Sequence, residues 1–272
     1  MATFGKIGAK DILWKPPYDK EVEYLQNPAA NTPNAYISIP GLYPVAQLST
    51  EIKVSMAYSS IYSSFMLFGF ANDYAGNPRR TYVLGARSIR RLTRLYGIVS
   101  DGNVNYLDTT VGVDISSQPD NTPITIAFNA VDNTFNFNGT IIKNTRRLTY
   151  TTDTRGTWPM RLFQIVISNG KQVGTTYCAS QYDSFRIYSA KFKMYDEVIH
   201  DFIPVRCGSV GYMFDRANIK GEPLGNGLYP NGGTVPFVLG PDKVVRGGGK
   251  CIESSESAFY SYSSDSFWKE AA

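Results

Sequence analysis

Ile124-Thr125-Ile126-Ala127-Phe128, then Val131-Asp132-Asn133, then Thr134-Phe135-Asn136-Phe137, Asn138-Gly139 and Thr140-Ile141-Ile142: here apolar side chains recur at every second position, stop at a turn and start again. A period of two is that of a strand with one buried and one wet face. Asn138-Gly139 favours a type I′ turn, because both of its central residues need a positive φ that Asn and Gly tolerate. Two successive hairpins make a meander.

The same signal extends outward in both directions. Upstream, Ala35-Tyr36-Ile37-Ser38-Ile39 ends at Pro40-Gly41, and Thr50 to Tyr58 alternates Ile52, Val54 and Met56 against Glu51, Lys53 and Ser55. Phe65 to Phe70 is a continuous apolar run, the pattern of a strand covered on both faces. Tyr82 to Gly85, Leu95 to Val99, Leu162 to Ile167 and Phe185 to Tyr195 supply further strands. The window Arg87 to Arg94 has some helical character, but its flanks are strand-like. Many short strands separated by turns, with no amphipathic helix between them, predict an all-β fold, an antiparallel sandwich.

Composition agrees. Hydrophobic residues make up 43% and charged residues 18%, enough apolar surface to close a core. The 19 Tyr and 15 Phe suit pleated, half-buried surfaces, and 24 Gly with 15 Pro supply turns. A net charge of +4 is small for a nucleic-acid binder, which is not the expected partner. Cys178, Cys207 and Cys251 are odd in number and widely spaced, which predicts free buried thiols in a reducing compartment rather than disulfides or zinc. Met1 to Lys6 lacks the apolar core of a signal peptide, and no run approaches the ~20 apolar residues that cross a bilayer. Membrane insertion and Sec-dependent export are therefore not expected.

The ends differ from the middle. Residues 1–20 contain Trp14-Lys15-Pro16-Pro17-Tyr18, too rich in Pro for a central strand. Residues 244–272 pass from Gly247-Gly248-Gly249 into a Ser- and Tyr-rich tail with Phe259, Tyr260, Tyr262, Phe267 and Trp268. So many aromatics suit an arm that orders against a neighbouring subunit; a disordered end is the alternative. The expected organisation is an N-terminal arm (1–20), a β-domain (21–243) and a C-terminal tail (244–272).

Between Phe185 and Asp242 the sequence becomes more specific. Arg186-Ile187-Tyr188-Ser189-Ala190-Lys191 runs through Tyr195 into Asp201-Phe202-Ile203-Pro204-Val205-Arg206, followed by Gly211-Tyr212-Met213-Phe214-Asp215-Arg216 and by Phe237 to Pro241. This resembles the closing segment of concanavalin A-like (laminin G-like) jelly-roll modules of phage, prophage and gut-bacterial proteins. Glu21 to Leu25 with Ala35 to Ile37, and Trp158 to Phe163, are similar to the opening and to a middle strand of the same modules. His200, where the pattern has Arg, the basic stretch Tyr58 to Arg94 and the loop Gly221 to Gly233 depart from it. The resemblance implies a concanavalin A-like jelly-roll sandwich across residues 21–243, flanked by extended arms, and a lectin-like ability to bind carbohydrate.

Within the closing segment, strict alternation puts Ile187, Ser189, Lys191 and Lys193 on one face and Tyr188, Ala190, Phe192 and Met194 on the other. Asp196-Glu197 reads as the turn, Phe202 and Ile203 as buried, and Pro204 as the end of regular pairing. Asp215 and Arg216 are expected to lock the following turn.

A retaining glycosidase needs two carboxyl groups about 5–5.5 Å apart. Glu21 and Glu23 have the spacing but lack a third acid, and read better as exposed charges. His200 is the single histidine, and Asp201 beside it points to the opposite face, so a surface histidine is expected rather than a triad. Gly247 to Lys250 lacks phosphate-loop spacing. Asp73, Asp101, Asp108, Asp114 and Asp120 form no calcium-loop series, so neither a metal nor a cofactor is expected.

Arg79, Arg80, Arg87, Arg90, Arg91 and Arg94 cluster near Tyr74, Tyr82 and Tyr96. Arginine forks match carboxylates and phosphates, and nearby rings can stack on a ligand. Tyr74, Arg79, Arg80, Arg87, Arg90 and Arg91 are the candidate ligand-binding residues; a solvated strand face or a subunit interface is the competing reading. Tyr58, Tyr62, Tyr74, Tyr177 and Tyr182 could supply sugar platforms.

The expected function is that of a non-enzymatic phage or prophage virion protein: a head-decoration, fibre or tail-associated subunit. It would assemble in the host cytoplasm as a homo-oligomer with other virion proteins. The alternative is an adhesion module recognising host-surface glycans. A glycan-active enzyme is disfavoured by the missing carboxylate strand.

Overall fold

The computed structural model describes residues 16–28, 35–42, 47–57, 65–72, 81–89, 92–100, 106–108, 113–143, 160–168, 173–178, 185–217, 226–243, 260–263 and 266–270. Every regular element among them is a strand. In chain order the first are β1 (Lys20–Glu21), β2 (Leu25–Gln26), β3 (Ile37–Ile39), β4 (Leu48–Met56), β5 (Phe65–Asn72), β6 (Thr81–Ile89), β7 (Leu92–Ser100) and β8 (Tyr106–Asp108). Next come β9 (Val113–Asp114), β10 (Ile124–Asn129), β11 (Thr134–Phe137), β12 (Thr140–Lys143), β13 (Met160–Leu162), β14 (Gln164–Ser168) and β15 (Val173–Cys178). The last are β16 (Phe185–Met194), β17 (Glu197–Cys207), β18 (Val210–Asp215), β19 (Leu228–Tyr229), β20 (Val238–Leu239), β21 (Tyr260–Ser263) and β22 (Ser266–Glu270).

By its contacts the chain separates into two compact units. One is Tyr18–Asp242; the other joins Met1–Pro17 to Lys243–Ala272 and contains the hairpin β21–β22. Within Tyr18–Asp242 a larger sheet runs β12-β11-β10-β4-β16-β17-β18-β19, with β1 on β17, β2 on β16 and β20 on β2. A smaller sheet runs β15-β14-β5-β6-β7-β8, with β13 on β3 and β5, and β9 on β7. Pairing is antiparallel throughout except between β14 and β5.

The meander forms as the alternation predicts. Ile124, Ile126, Phe128, Phe135 and Phe137 are buried, and Asn138 and Gly139 have φ of 51° and 90°, the left-handed pair of a type I′ turn. In β4, Ile52, Val54 and Met56 face the core while Glu51 and Lys53 are exposed. Ser55 departs from the alternation: it is buried from the far side, its hydroxyl 3.1 Å from that of Tyr188.

The two sheets share one core. Phe192 of β16 lies 4.9 Å from Phe68 of β5, which meets Tyr82 of β6 edge-on; Tyr82 in turn meets Phe128 of β10. Tyr82 also ties the sheets by hydrogen bonds. Its hydroxyl donates to the Leu48 carbonyl at 2.7 Å and, having one proton, accepts from Thr50 at 2.7 Å. Burial pushes this phenol far above the usual tyrosine range, and the Thr50 bond opposes the shift only in part.

Four local expectations are corrected. The single strand read over Leu162 to Ile167 breaks at Phe163, whose φ of 69° turns the chain so that β13 runs antiparallel to β5 and β14 parallel to it. A left-handed phenylalanine is unfavourable, and it is held here by packing of its ring against Phe185 at 5.4 Å and Phe237 at 4.6 Å. Pro204 does not end pairing: it sits opposite Met213 within β17. In an antiparallel strand a residue's N–H and C=O point to the same side, and the Pro204 carbonyl accepts from Val22 N at 3.1 Å. The missing N–H therefore faces the β1 side and takes nothing from the β18 ladder.

The β16–β17 turn is Tyr195-Asp196, with φ of 49° and 69°, so β17 already begins at Glu197. Finally, a bulge between Ile187 and Ser189 breaks the alternation of β16. Phe185 and Ile187 point into the core before it, Ala190 and Phe192 after it. The extra residue shifts the phase by one, which is what a β-bulge does.

The start and end of the Tyr18–Asp242 unit lie side by side. Val22 bridges Asp242, and Arg206 holds both Asp242 carboxylate oxygens at 2.7 Å. Arg206 also donates to the Gly208 carbonyl, and the Gly208 N–H donates to Asp19 at 2.6 Å. Cys207 between them is half-buried rather than buried, its thiol pushed up by burial and then by Asp19.

Candidate functional site

Tyr74, Arg79, Arg80, Arg90 and Arg91 lie outside the described residues, as do Tyr58, Tyr62 and Tyr182. Arg87 lies in β6 with its Cα opposite that of Arg94 in β7, and Arg94 is opposite Asp114 of β9. Asp114 supplies a counter-charge on one flank of Arg94. The Asp114 carboxyl is held below its ordinary range first by the Ser116 hydroxyl at 2.7 Å, then by the Ser116 N–H, with Arg94 adding to it. Among the described residues no group of three His, Cys, Asp or Glu side chains is placed to hold a metal ion, and no helix is long and apolar enough to cross a membrane.

His200 is not on the surface. It is 7% exposed, stacked on Phe202 at 5.3 Å and flanked edge-on by Phe192 and Tyr229. Its Nδ1 lies 2.6 Å from Asp215 Oδ2. A carboxylate only accepts, so Nδ1 carries the donated proton. Asp215 is fully buried, and its Oδ1 accepts from the N–H groups of Asp201 at 2.9 Å and Ala217 at 3.0 Å. Asp201, excluded from the histidine by strand geometry, instead accepts from Arg216 at 2.6 Å. The expected lock after Asp215 thus exists, but its ion pair joins Arg216 to Asp201. Every part of this cluster ties β17 to β18 and to the turn that follows. Among the described residues no hydroxyl or thiol bonds to the second nitrogen of His200.

A different group of polar side chains lies on the opposite face of the larger sheet. In β2 and β16, Leu25 and Ile187 are buried in the core, so Tyr24, Gln26, Arg186 and Tyr188 lie on the outer side, all half-buried. Tyr188, next after Ile187, comes to this face by ordinary alternation, and the bulge between Ile187 and Ser189 returns Ala190 and Phe192 to the core. Arg186 spreads its guanidinium over the Tyr24 ring, 4.5 Å from the centroid, and its Nε donates to Gln26 Oε1 at 2.8 Å. Tyr188 meets Tyr24 edge-on at 5.5 Å and reaches the Ser55 hydroxyl. A Cβ on Gly240 would lie 2.9–3.0 Å from the Tyr24 ring, so only glycine lets that ring lie down on the neighbouring strand end. Lys53, two residues before Ser55 in β4, is exposed on the same face, and Val238, 47% exposed, sits at the rim beside Gln26.

The arginines of the described core differ in their company. Arg206 and Arg216 are tied to carboxylates, and Arg161 lies over the Tyr36 ring at 3.9 Å. Arg186 is fixed by a ring and an amide, and its two terminal amino groups meet no acid among the described residues. A search for tyrosine-rich or arginine-rich stretches passes over this group, because it is assembled from residues 24–26, 53–55, 186–188 and 240. The signal available in the sequence was the change of apolar phase in β16, from odd positions at Phe185 and Ile187 to even ones at Ala190 and Phe192.

No protein-family model matches this chain, and no curated protein matches it either.

Proposed function

We propose that this chain is a non-enzymatic subunit of a bacteriophage or prophage virion, a jelly-roll β-sandwich of the concanavalin A-like kind held to its neighbours by its terminal segments. The observation that carries this reading is the placement of the chain ends. Tyr18 and Asp242 close the main unit side by side, pinned by Arg206, while Met1–Pro17 and Lys243–Ala272 fall into a unit of their own. A body whose two connections leave at one corner suits a subunit anchored at that corner and displayed elsewhere. The hairpin β21–β22 fits the same role, since an isolated two-stranded hairpin is at best marginally stable in water and gains from a partner surface. His200 and Asp215, the pair nearest to catalytic chemistry, are engaged in joining strands. The sequence resemblance over 185–242 supplies the virion context, and assembly in the host cytoplasm follows from it.

Light scattering on the full chain and on a chain lacking residues 1–17 and 243–272 tests the reading. A defined oligomer that falls to monomer on truncation supports it. A monomer in both forms removes the assembly role.

A second reading, recognition of host-surface glycans, is favoured by the Tyr24–Arg186–Tyr188 face. Rings beside fixed polar groups on a solvent-facing surface are the usual makings of a sugar site. Binding of the full chain to a glycan array separates this reading from the first.

A further inference from the structure

We propose that the outer face around Arg186 binds a carboxylate-bearing saccharide, with the guanidinium as the anchor for the acid group. This rests on the glycan-recognition reading and names the class of sugar. A guanidinium offers two parallel N–H groups to a carboxylate, and its worth as an anchor depends on being held in one orientation before the ligand arrives.

Arg186 meets that condition. The Tyr24 ring fixes its plane, Gln26 holds Nε, and Gly240 gives the ring room to lie flat. Gln26 engages Nε and no acid is paired with the terminal amino groups among the described residues, so the fork is set but unclosed. Lys53 adds a second, exposed positive charge on the same face.

The surroundings favour a sugar over an acidic protein surface. Protein interfaces are anchored by large apolar or aromatic side chains that become fully buried in pockets. Of the large hydrophobic side chains exposed among the described residues, Val131, Ile141, Tyr195, Val198, Val210 and Val238, only Val238 borders this cluster. Half-buried phenol rings next to amide, hydroxyl and ammonium groups instead suit a ring that is apolar on its C–H face and polar at its edge.

The test is titration calorimetry of the full chain with a uronic-acid tetrasaccharide, its carboxyl-reduced neutral counterpart and a hexaglutamate peptide. The acidic tetrasaccharide should bind, and the reduced form should bind about tenfold more weakly or worse. Arg186→Lys keeps the charge but loses the fork and should cost about tenfold in affinity, with thermal unfolding unchanged. Gln26→Ala, which frees Nε but leaves the guanidinium, should weaken binding less. Equal binding of the acidic and neutral sugars, both indifferent to Arg186, would overturn the carboxylate assignment and leave the glycan reading standing. Binding of hexaglutamate without the uronate would place an acidic protein here instead. No binding of any saccharide would sink both readings together.

Discussion

The His200–Asp215 pair and the Arg186 platform belong to the same sheet and are opposite in design. In the first, a buried carboxylate is saturated: two backbone N–H groups and an imidazole close around it, and the imidazole is itself packed among rings. In the second, a cation is oriented with similar care, but its terminal amino groups meet no acid among the described residues. Burying a charge costs several kcal/mol unless its partners are complete, so saturation is what a structural role demands. An oriented but open group, kept at the surface where water covers the cost, is what a ligand can use. Residue type does not separate the two clusters; the completeness of the hydrogen bonding does.

The sharpest way to break this contrast is Asp215→Ala. It strands the imidazole and two backbone N–H groups in the core, and should cost about 3–5 kcal/mol in denaturant unfolding. His200→Phe keeps the aromatic packing and both backbone donors to Asp215, and should cost less. An Asp215→Ala midpoint equal to that of the unaltered chain would show that the pair holds nothing.

Tyr82→Phe probes a second saturated group, the one that bonds across the sheets. Losing the hydroxyl leaves the Leu48 carbonyl and the Thr50 hydroxyl without it, for about 1–3 kcal/mol. The pH dependence is more diagnostic. Because the folded phenol is raised far above its unfolded value, its contribution is complete below about pH 10 and is lost as the pH rises beyond that, where the unfolded chain can ionise. The variant should lose stability less steeply on the alkaline side. Parallel alkaline slopes would assign that loss to other groups.

How far the sequence revealed these clusters follows from the same physics. Alternation reports burial of one face, so the meander and the core-facing residues of β4 were legible from residue type alone, whereas in the closing strands the bulge of β16, its turn and the pairing of Pro204 were not. Partnership across strands is not reported by alternation. His200 sits next to Asp201 in sequence, yet its partner is Asp215, one hairpin away, because neighbours on a strand face apart. The platform also needed the register that sets Gln26 between Arg186 and Val238, which spacing does not carry; the bulge after Ile187 shows in the sequence only as a change of apolar phase. The arginine cluster was visible because it is dense along the chain, but density is a linear property. It does not tell which guanidinium is oriented and open.

Arg186→Ala sharpens the comparison from the other side. On a half-exposed face, loss of one cation–π contact and one hydrogen bond should change stability by about 1 kcal/mol or less. A loss as large as that of Asp215→Ala would make the platform a structural tie and remove its claim to a ligand.

The smallest effect is expected at the corner where the chain ends meet, and it tests whether a surface pair can behave like the saturated interior. Arg206 and Asp242 are well aligned, both oxygens at 2.7 Å, but their side chains are 28% and 45% exposed, and screening leaves such pairs weak. The Asp242 carboxyl is nevertheless held below its ordinary range, chiefly by the bond from Arg206. A lowered folded value means that the stabilisation is present above about pH 4, the unfolded range, and disappears as the pH falls through the folded value. Asp242→Asn should therefore melt slightly below the unaltered chain at neutral pH and coincide with it in acid. High salt should narrow the neutral-pH gap, since the pair is open to counter-ions. A gap of the same size at both pH values would trace the loss to the strand bridge between Val22 and Asp242, not to the charge.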